Sequence, residues 1–336
     1  VKPILIVTMG DPGGIGPEVV LKSLGSPDVL KKVVPVVVGV KSAFEVLAKS
    51  KINFSDISLL KRRLIKPGNC YFFDVSGRAQ GMLLEHDFPL SSEPRFLTGK
   101  VSPVNAALAM ASLEAAADAC SAGEADGMVT APVNKTAMRL LDPRFHGHTE
   151  YLADKTGVRK FAMMFVSPRL CVTLATVHVA LKDVSKSLTR AGVFEKIILT
   201  DQFLKSRIEK KRPRIAVCAL NPHGEETGTE EASIIRPAVN QARKAGVDVS
   251  GPFAADQLFY EAYEGHYDAL VSMYHDQALA PFKMVSFHDG VNVTAGLPFV
   301  RTSPDHGTAF DIAGHGKAQS ESMTAAILLA ARLAKR

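Results

Sequence analysis

The segment 273–316 concentrates the residue types that do chemistry. It holds an imidazole, His275, two cations, Lys283 and Arg301, and an amide, Asn292. Asp305-His306-Gly307-Thr308 follows, ahead of a short helical pattern. An apolar strand, Ala269-Leu270-Val271-Ser272-Met273, runs straight into His275 and Asp276. Donors and cations gathered just past a strand suit a polyanionic metabolite, because ligands of α/β proteins bind beyond the carboxyl ends of strands. A surface loop whose charges face water is the competing reading.

Of the ten histidines, His178, His223 and His275 share one placement, each just beyond an apolar strand. Strand ends of a largely parallel sheet gather on one side, so three imidazoles can converge there. Three neutral imidazoles leave coordination positions open on a divalent ion, as a catalytic site requires, whereas a structural site is closed by four ligands. His86, His266, His288 and His315 have no such placement and read as ordinary polar residues.

The elements that must position these groups alternate along the chain. A strand, Pro3–Thr8, opens into Gly13-Gly14-Ile15-Gly16-Pro17-Glu18, where Pro and Glu mark a helix start. This glycine-rich turn reads equally as an anion cradle or as a tight strand-to-helix turn; Pro17 and the spacing exclude the dinucleotide fingerprint. A fully apolar strand at 33–40 indicates a sheet covered on both faces. Residues 51–100 read as irregular and basic, with one strand at Tyr71-Phe72-Phe73. Ser102-Pro103 caps an Ala-rich helix reaching Ala122, and a strand at 126–130 leads to Lys135, which is either a phosphate contact or an exposed lysine. His148 and Thr149 precede a further helix; strands at 161–166, 170–177 and 215–220 and helices at 187–209, 230–245 and 321–335 complete the series. The alternation gives α/β layers around a largely parallel sheet.

Composition bounds the function. A chain of 336 residues with 46% apolar content has room for two lobes with a proper core. The net charge of +6 is mild, and the clusters at 61–63 and 210–212 lack interleaved aromatics, so they read as solvated faces with no nucleic-acid role. Cys70, Cys120, Cys171 and Cys218 form no CxxC pair and read as small hydrophobes of a reducing compartment. The absence of a signal pattern or a long apolar run leads to the expectation of a cytoplasmic protein without a membrane partner.

Five segments together resemble a known family: Met9-Gly10-Asp11-Pro12 with Gly14-Ile15-Gly16-Pro17-Glu18, Gly147-His148-Thr149-Glu150, Leu220-Asn221-Pro222-His223, Met273-Tyr274-His275-Asp276-Gln277, and Gly296 through Ser303. They are similar to 4-hydroxythreonine-4-phosphate dehydrogenase of pyridoxal 5'-phosphate biosynthesis, in order and over nearly the whole chain. The resemblance implies a two-lobed α/β/α fold like that of isocitrate and isopropylmalate dehydrogenases. It places a dinucleotide lobe at 1–136 and 288–336 and a metal, substrate and dimerisation lobe at 137–287. It implies a homodimer with the active site at the interface, and one divalent ion (zinc, magnesium, cobalt or manganese) on His178, His223 and His275, drawn from one or both subunits. His148, Thr149, Lys283, Asn292 and Arg301 are the implied substrate contacts. His306, Gly307, Thr308, Asp311 and Ile312 match the adenosine segment of the decarboxylating dehydrogenases, and Asp311-Ile312 stands where NADP-using relatives place Lys and Tyr. NAD is therefore the expected cofactor, with NADP as the alternative, unless Asp311 merely caps the short helix expected near Ala313.

The implied reaction is oxidation of a phosphorylated, carboxylated secondary alcohol followed by loss of carbon dioxide. Lys283, or a metal-bound water, takes the alcohol proton, and His148 works at the phosphate end. Two departures from the family pattern, a short loop at 224–230 and Pro304 in place of a small aliphatic residue, leave open a phosphorylated four-carbon sugar acid such as threonate or erythronate 4-phosphate as substrate. An acyl or phosphate transferase of the same architecture, or a binding protein without catalysis, are the other classes.

Overall fold

In a computed structural model of the chain, residues 2–45, 52–88, 95–224 and 226–334 are described. Glu225, in the loop after His223, and Lys335, the expected end of the last helix, lie outside them. The chain divides into two compact units, Val1–Gly157 with Pro298–Arg336, and Val158–Leu297.

The first unit begins with β1 (Ile4–Thr8), α1 (Gly16–Leu24), α2 (Pro27–Lys32), β2 (Val34–Gly39), α3 (Lys41–Glu45), β3 (Phe54–Asp56) and β4 (Cys70–Asp74). It continues through α4 (Ser76–Glu85), α5 (Pro103–Ser121), β5 (Gly127–Thr130), α6 (Lys135–Met138) and α7 (His148–Lys155). The second unit holds β6 (Ala162–Val166), β7 (Cys171–Leu174), α8 (Val184–Ser187), α9 (Arg190–Arg207), β8 (Ile215–Cys218), α10 (Arg236–Lys244), β9 (Val249–Phe253), α11 (Ala255–Tyr263), β10 (Ala269–Ser272), α12 (His275–Ser286) and β11 (Val291–Ala295). The chain returns to the first unit for β12 (Val300–Pro304) and α13 (Glu321–Leu333).

In the first unit the strands run β3-β4-β2-β1-β5-β12, all parallel. Every residue of β1 and β2 is buried, as the unbroken apolar runs require. Burial of each Leu, Ile or Val here stabilises by about 1.5–3 kcal/mol. The alanines of α5 let that helix lie close on β1, β2 and β5. Ser102 caps it by accepting from Asn105 N at 3.0 Å. Because β1, β5 and β12 are parallel neighbours, the loops that follow them, at 9–15, 131–135 and 305–308, leave the same edge of the sheet.

In the second unit the order is β11-β6-β7-β10-β8-β9. Here β6 is antiparallel to both neighbours, while β7, β10, β8 and β9 are parallel. Its core packs Phe165, Leu174 and Leu270 of the sheet against Leu258 of α11 and Phe282 of α12.

Several elements were hidden from pattern reading. The irregular stretch expected at 51–100 contains β3, a short exposed edge strand, and α4, whose Gly77 and Gly81 weaken the helical signal while Ala79 and Leu83 are buried. β9 carries Gly251 and Pro252, tolerated because it is an edge strand. The segment after His275, for which a surface loop was the competing reading, is the helix α12, which runs through an internal Pro281. Conversely, the short helix expected near Ala313 is a run of turns, Ile312 N to Ala309 O and His315 N to Ile312 O, so Asp311 caps no helix.

The unit boundaries also fall later than the expected 136/137 and 287/288. Helix α7 stays with the first unit because Tyr151 Oη donates to Glu114 at 2.9 Å and Lys155 pairs with Asp118 at 3.0 Å, both on α5. Strand β11 stays with the second unit because it pairs with β6 along its whole length.

Candidate active site

A cluster of cationic and imidazole side chains lies inside the first unit. Arg301, the second residue of β12, is buried, and its Nε and Nη2 both donate to Thr130 Oγ1, at 3.1 and 2.7 Å. Burial pulls the guanidinium pKa down to about 10, opposed by the Glu150 carboxylate, so it remains a cation at neutral pH. His148 opens α7, and its Nε2 is buried without a hydrogen-bond partner. Burial first, then the charges of Arg301 and Lys135, hold its pKa well below the usual imidazole range, so the ring is neutral. A neutral imidazole can still donate from one nitrogen.

Gly147 brings these groups close to the start of α7: a Cβ there would lie 2.9 Å from Glu150 Oε2, the tip of a flexible side chain, and in ordinary contact with Lys135 Nζ at 3.8 Å. Thr149 is buried at the second position of the helix. The cluster thus brings two cations, a neutral imidazole and a helix N-terminus together beside the Glu150 carboxylate, and the cations outnumber the anion, as suits a phosphate or carboxylate ligand. Lys135, open between two readings, is exposed, and its charge still reaches His148.

Asp11 supports the loop that carries Lys135. It is buried, accepts from Gly13 N at 2.9 Å, and its own N–H donates to Pro132 O at 2.9 Å. Burial raises its pKa to about 6, against the lowering effect of hydrogen bonds from Gly13, Asn134 and Asn105.

The glycine-rich turn is a packing device. Gly13 N donates to Asp11 Oδ1, Gly14 N to Asp11 O, and Ile15 N to Thr308 O at 2.9 Å, so these donors are committed within the protein. A Cβ on Gly14 would lie 2.7 Å from Thr308 O, and one on Gly16 would lie 2.1 Å from Met9 O. Of the two readings of this turn, the tight turn is the one the structure holds. Thr308 belongs to the implied cofactor segment His306, Gly307, Thr308, Asp311 and Ile312, in which Asp311 is exposed.

In the second unit the three histidines follow β7, β8 and β10, which are adjacent and parallel. The loops after β7 and β10 are laced together: Ala175 N donates to Ser272 O at 2.8 Å, and Thr176 N and Oγ1 to Met273 O at 3.1 and 2.7 Å. His178 and His275, two residues beyond these anchors, therefore face each other with ring centroids 6.0 Å apart. His275 Nδ1 is held by Asp276 at 2.7 Å, a second contact of the kind that orients a metal-binding ring.

His223 does not join this pair. It adopts φ +56° in a turn beside Arg236, Pro252 and Phe253, on a cleft of about 440 Å³. Among the described residues, no three or more His, Cys, Asp or Glu side chains stand together to hold a metal. His178 and His275 thus stand as a pair, without His223, the third expected ligand, beside them. Glu231 holds the His223 loop by accepting from Leu220 N and Asn221 N, both at 2.8 Å. Lys283 lies on α12 and Asn292 on β11, both half-buried.

Sequence reading put His148, Thr149 and Lys283 in one lobe and Asn292 and Arg301 in the other, whereas His148, Thr149 and Arg301 share the first unit and Lys283 and Asn292 the second. It missed Thr130, Glu150, Asp11 and Glu231. Only Asp11 and Glu150 had a signal, since both stand inside the motifs that were singled out.

Parallel strands bearing a buried arginine beside a neutral imidazole in the first unit, and facing imidazoles at strand ends in the second, are the equipment of an enzyme of anionic metabolites. The chain belongs to the family described as pyridoxal phosphate biosynthetic protein PdxA, whose model matches residues 25–330. It is 44% identical, over 99% of its length and 96% of the relative's, to 4-hydroxythreonine-4-phosphate dehydrogenase of Geobacter metallireducens. It is 42% identical, over 98% of each chain, to D-threonate 4-phosphate dehydrogenase of Salmonella typhimurium. A solved 4-hydroxythreonine-4-phosphate dehydrogenase of Klebsiella pneumoniae superposes with a TM-score of 0.85 at 37% identity, covering 99% of this chain and 100% of that one. No described helix is long and apolar enough to cross a membrane.

Proposed function

We propose that the protein oxidises 4-phosphooxy-L-threonine with NAD to 2-amino-3-oxo-4-(phosphooxy)butanoate, which loses carbon dioxide to give 3-amino-2-oxopropyl phosphate. The observation that carries this reading is the buried Arg301 fork beside the neutral His148, in a chain so close to dehydrogenases of phosphorylated four-carbon acids. Arg301, Lys135, His148 and Thr149 bind the substrate's anionic groups, Arg301 through its planar fork. Lys283 and Asn292 are the further substrate contacts, and Lys283 is the group we assign to take the alcohol proton. Oxidation leaves a ketone β to the carboxylate, which accepts the electron pair as carbon dioxide departs.

When bound, the dinucleotide supplies the hydride acceptor and a divalent ion supplies polarisation of the hydroxyl. His178 and His275 would hold the ion, with His223 contributed by a second copy of the chain; zinc is the proposed metal, with magnesium, cobalt or manganese as substitutes. The separation of His223 from the facing pair supports a homodimer whose sites draw on both copies. Asp311, exposed in its loop, favours NAD because a carboxylate repels the additional phosphate of NADP. The cytoplasm is the proposed compartment.

The second reading is a phosphorylated four-carbon sugar acid as substrate, favoured by the 42% identity to a D-threonate 4-phosphate dehydrogenase. Turnover on phosphooxythreonine, threonate 4-phosphate and erythronate 4-phosphate, each with NAD and NADP, separates the two. We expect the highest kcat/KM with phosphooxythreonine and at least a roughly tenfold preference for NAD. Higher kcat/KM on a sugar acid establishes the second reading. Absence of both NADH and NADPH formation from all three substrates overturns the dehydrogenase.

A further inference from the structure

Helix α1 does more than follow the glycine-rich turn. Glu18 and Lys22 stand one turn apart, where i,i+4 side chains meet, and their ion pair is 2.8 Å long. An exposed pair of this kind contributes only a few tenths of a kcal/mol to a helix. This pair instead leaves the helix. Lys22 Nζ donates to Gly316 O at 2.8 Å and to Ala318 O at 2.7 Å, and Glu18 Oε1 accepts from Ala318 N at 2.8 Å. Glu18 is buried, and a buried carboxylate is costly unless paired. One turn earlier, Ile15 N holds Thr308 O at 2.9 Å.

The segment 308–318 is therefore gripped at both ends by one helix and the turn before it. Between the grips lie Asp311 and Ile312, in turns without a sheet or helix ladder to fix them. We infer that Glu18 and Lys22 are positioning residues that set the conformation of the 308–318 loop and, through it, the affinity for the dinucleotide. This rests on the proposed assignment of the dinucleotide to that loop. Neither residue touches the reacting atoms in this scheme; they act on binding through the loop backbone.

Lys22 is the residue to change, because its side chain is 39% exposed and its removal leaves the core intact. NADH binding to the full-length protein, followed by nicotinamide fluorescence without substrate, is the primary readout. For Lys22→Met we expect the Kd for NADH and the KM for NAD to rise about tenfold, with kcat and the KM for the phosphorylated substrate within about twofold. Lys22→Arg keeps the donors and should return the Kd to within about threefold of the unaltered protein. Asp311→Ala is the control for the loop itself. Weaker NADH binding in Asp311→Ala with unaltered binding in Lys22→Met overturns the positioning role while leaving the cofactor assignment in place. Unaltered binding in both overturns the two together. A Lys22→Met defect that Lys22→Arg does not relieve also counts against it.

Discussion

Thr130 Oγ1 accepts from two nitrogens of one guanidinium, Arg301 Nε at 3.1 Å and Nη2 at 2.7 Å. The two residues lie on adjacent parallel strands, β5 and β12, and both are buried. A β-branched threonine is stiff about χ1, so its hydroxyl fixes the plane of the arginine fork. The hydroxyl is neutral and orients the cation without adding negative charge beside it. Arg301→Lys keeps a charge and loses the fork; kcat/KM should fall by about 2 kcal/mol, roughly thirtyfold. Thr130→Val should cost about 1–2 kcal/mol through loss of orientation, while Thr130→Ser should stay near the unaltered value. Steady-state kinetics checks all three, and unchanged values for both Arg301→Lys and Thr130→Val would place the anion elsewhere.

The facing pair His178 and His275, with His223 apart, predicts complementation between subunits. His178→Ala and His223→Ala proteins should each be nearly inactive and poor in metal by elemental analysis. Unfolded, mixed and refolded together, they form hybrid dimers in which one of the two sites has all three imidazoles. Equal mixing should then restore about one quarter of the activity and metal content of the unaltered protein. No recovery in a mixture that demonstrably contains hybrids would mean that each site takes its ligands from a single chain.

Asp11 makes stability depend on pH in a direction opposite to that of most carboxylates. Its folded pKa, about 6, lies above its ordinary value of 3.8, so the folded state holds the proton more tightly. Stability present below about pH 4 is lost as the pH rises through about 6, by about 3 kcal/mol in total. Asp11→Asn removes the titration. Its unfolding free energy, measured by urea titration from pH 4 to pH 7, should lack this loss relative to the unaltered protein. Parallel pH curves for the two proteins would show that Asp11 is ionised throughout.

Glu231 predicts a defect confined to the His223 loop. Glu231→Ala would leave Leu220 N and Asn221 N without their acceptor, a cost of about 0.5–1.5 kcal/mol for each of these half-buried donors. Amide hydrogen exchange should rise at 219–224 while β1 and β2 stay protected. A uniform rise in exchange across both units would mean that the residue serves global stability and not this loop.

The sequence by itself determined the alternation of strands and helices, the placement of His178, His223 and His275 just past apolar strands, and the motifs that carry the family. These are local signals: apolar periodicity, caps such as Ser102, and residue types at short spacing. It did not determine α12, because a proline at 281 reads as a break while packing of Ala278, Leu279 and Phe282 against the sheet keeps the helix intact. Nor did it decide between the two readings of the glycine-rich turn, since the partner of Ile15 N is Thr308 O, far along the chain. The pairing of Thr130 with Arg301, across 171 positions of sequence, and the facing of His178 with His275 follow from which strands lie side by side and in what register. Strand pairing is a choice among distant segments made by the packing of the whole unit, and no pattern within a short stretch encodes it.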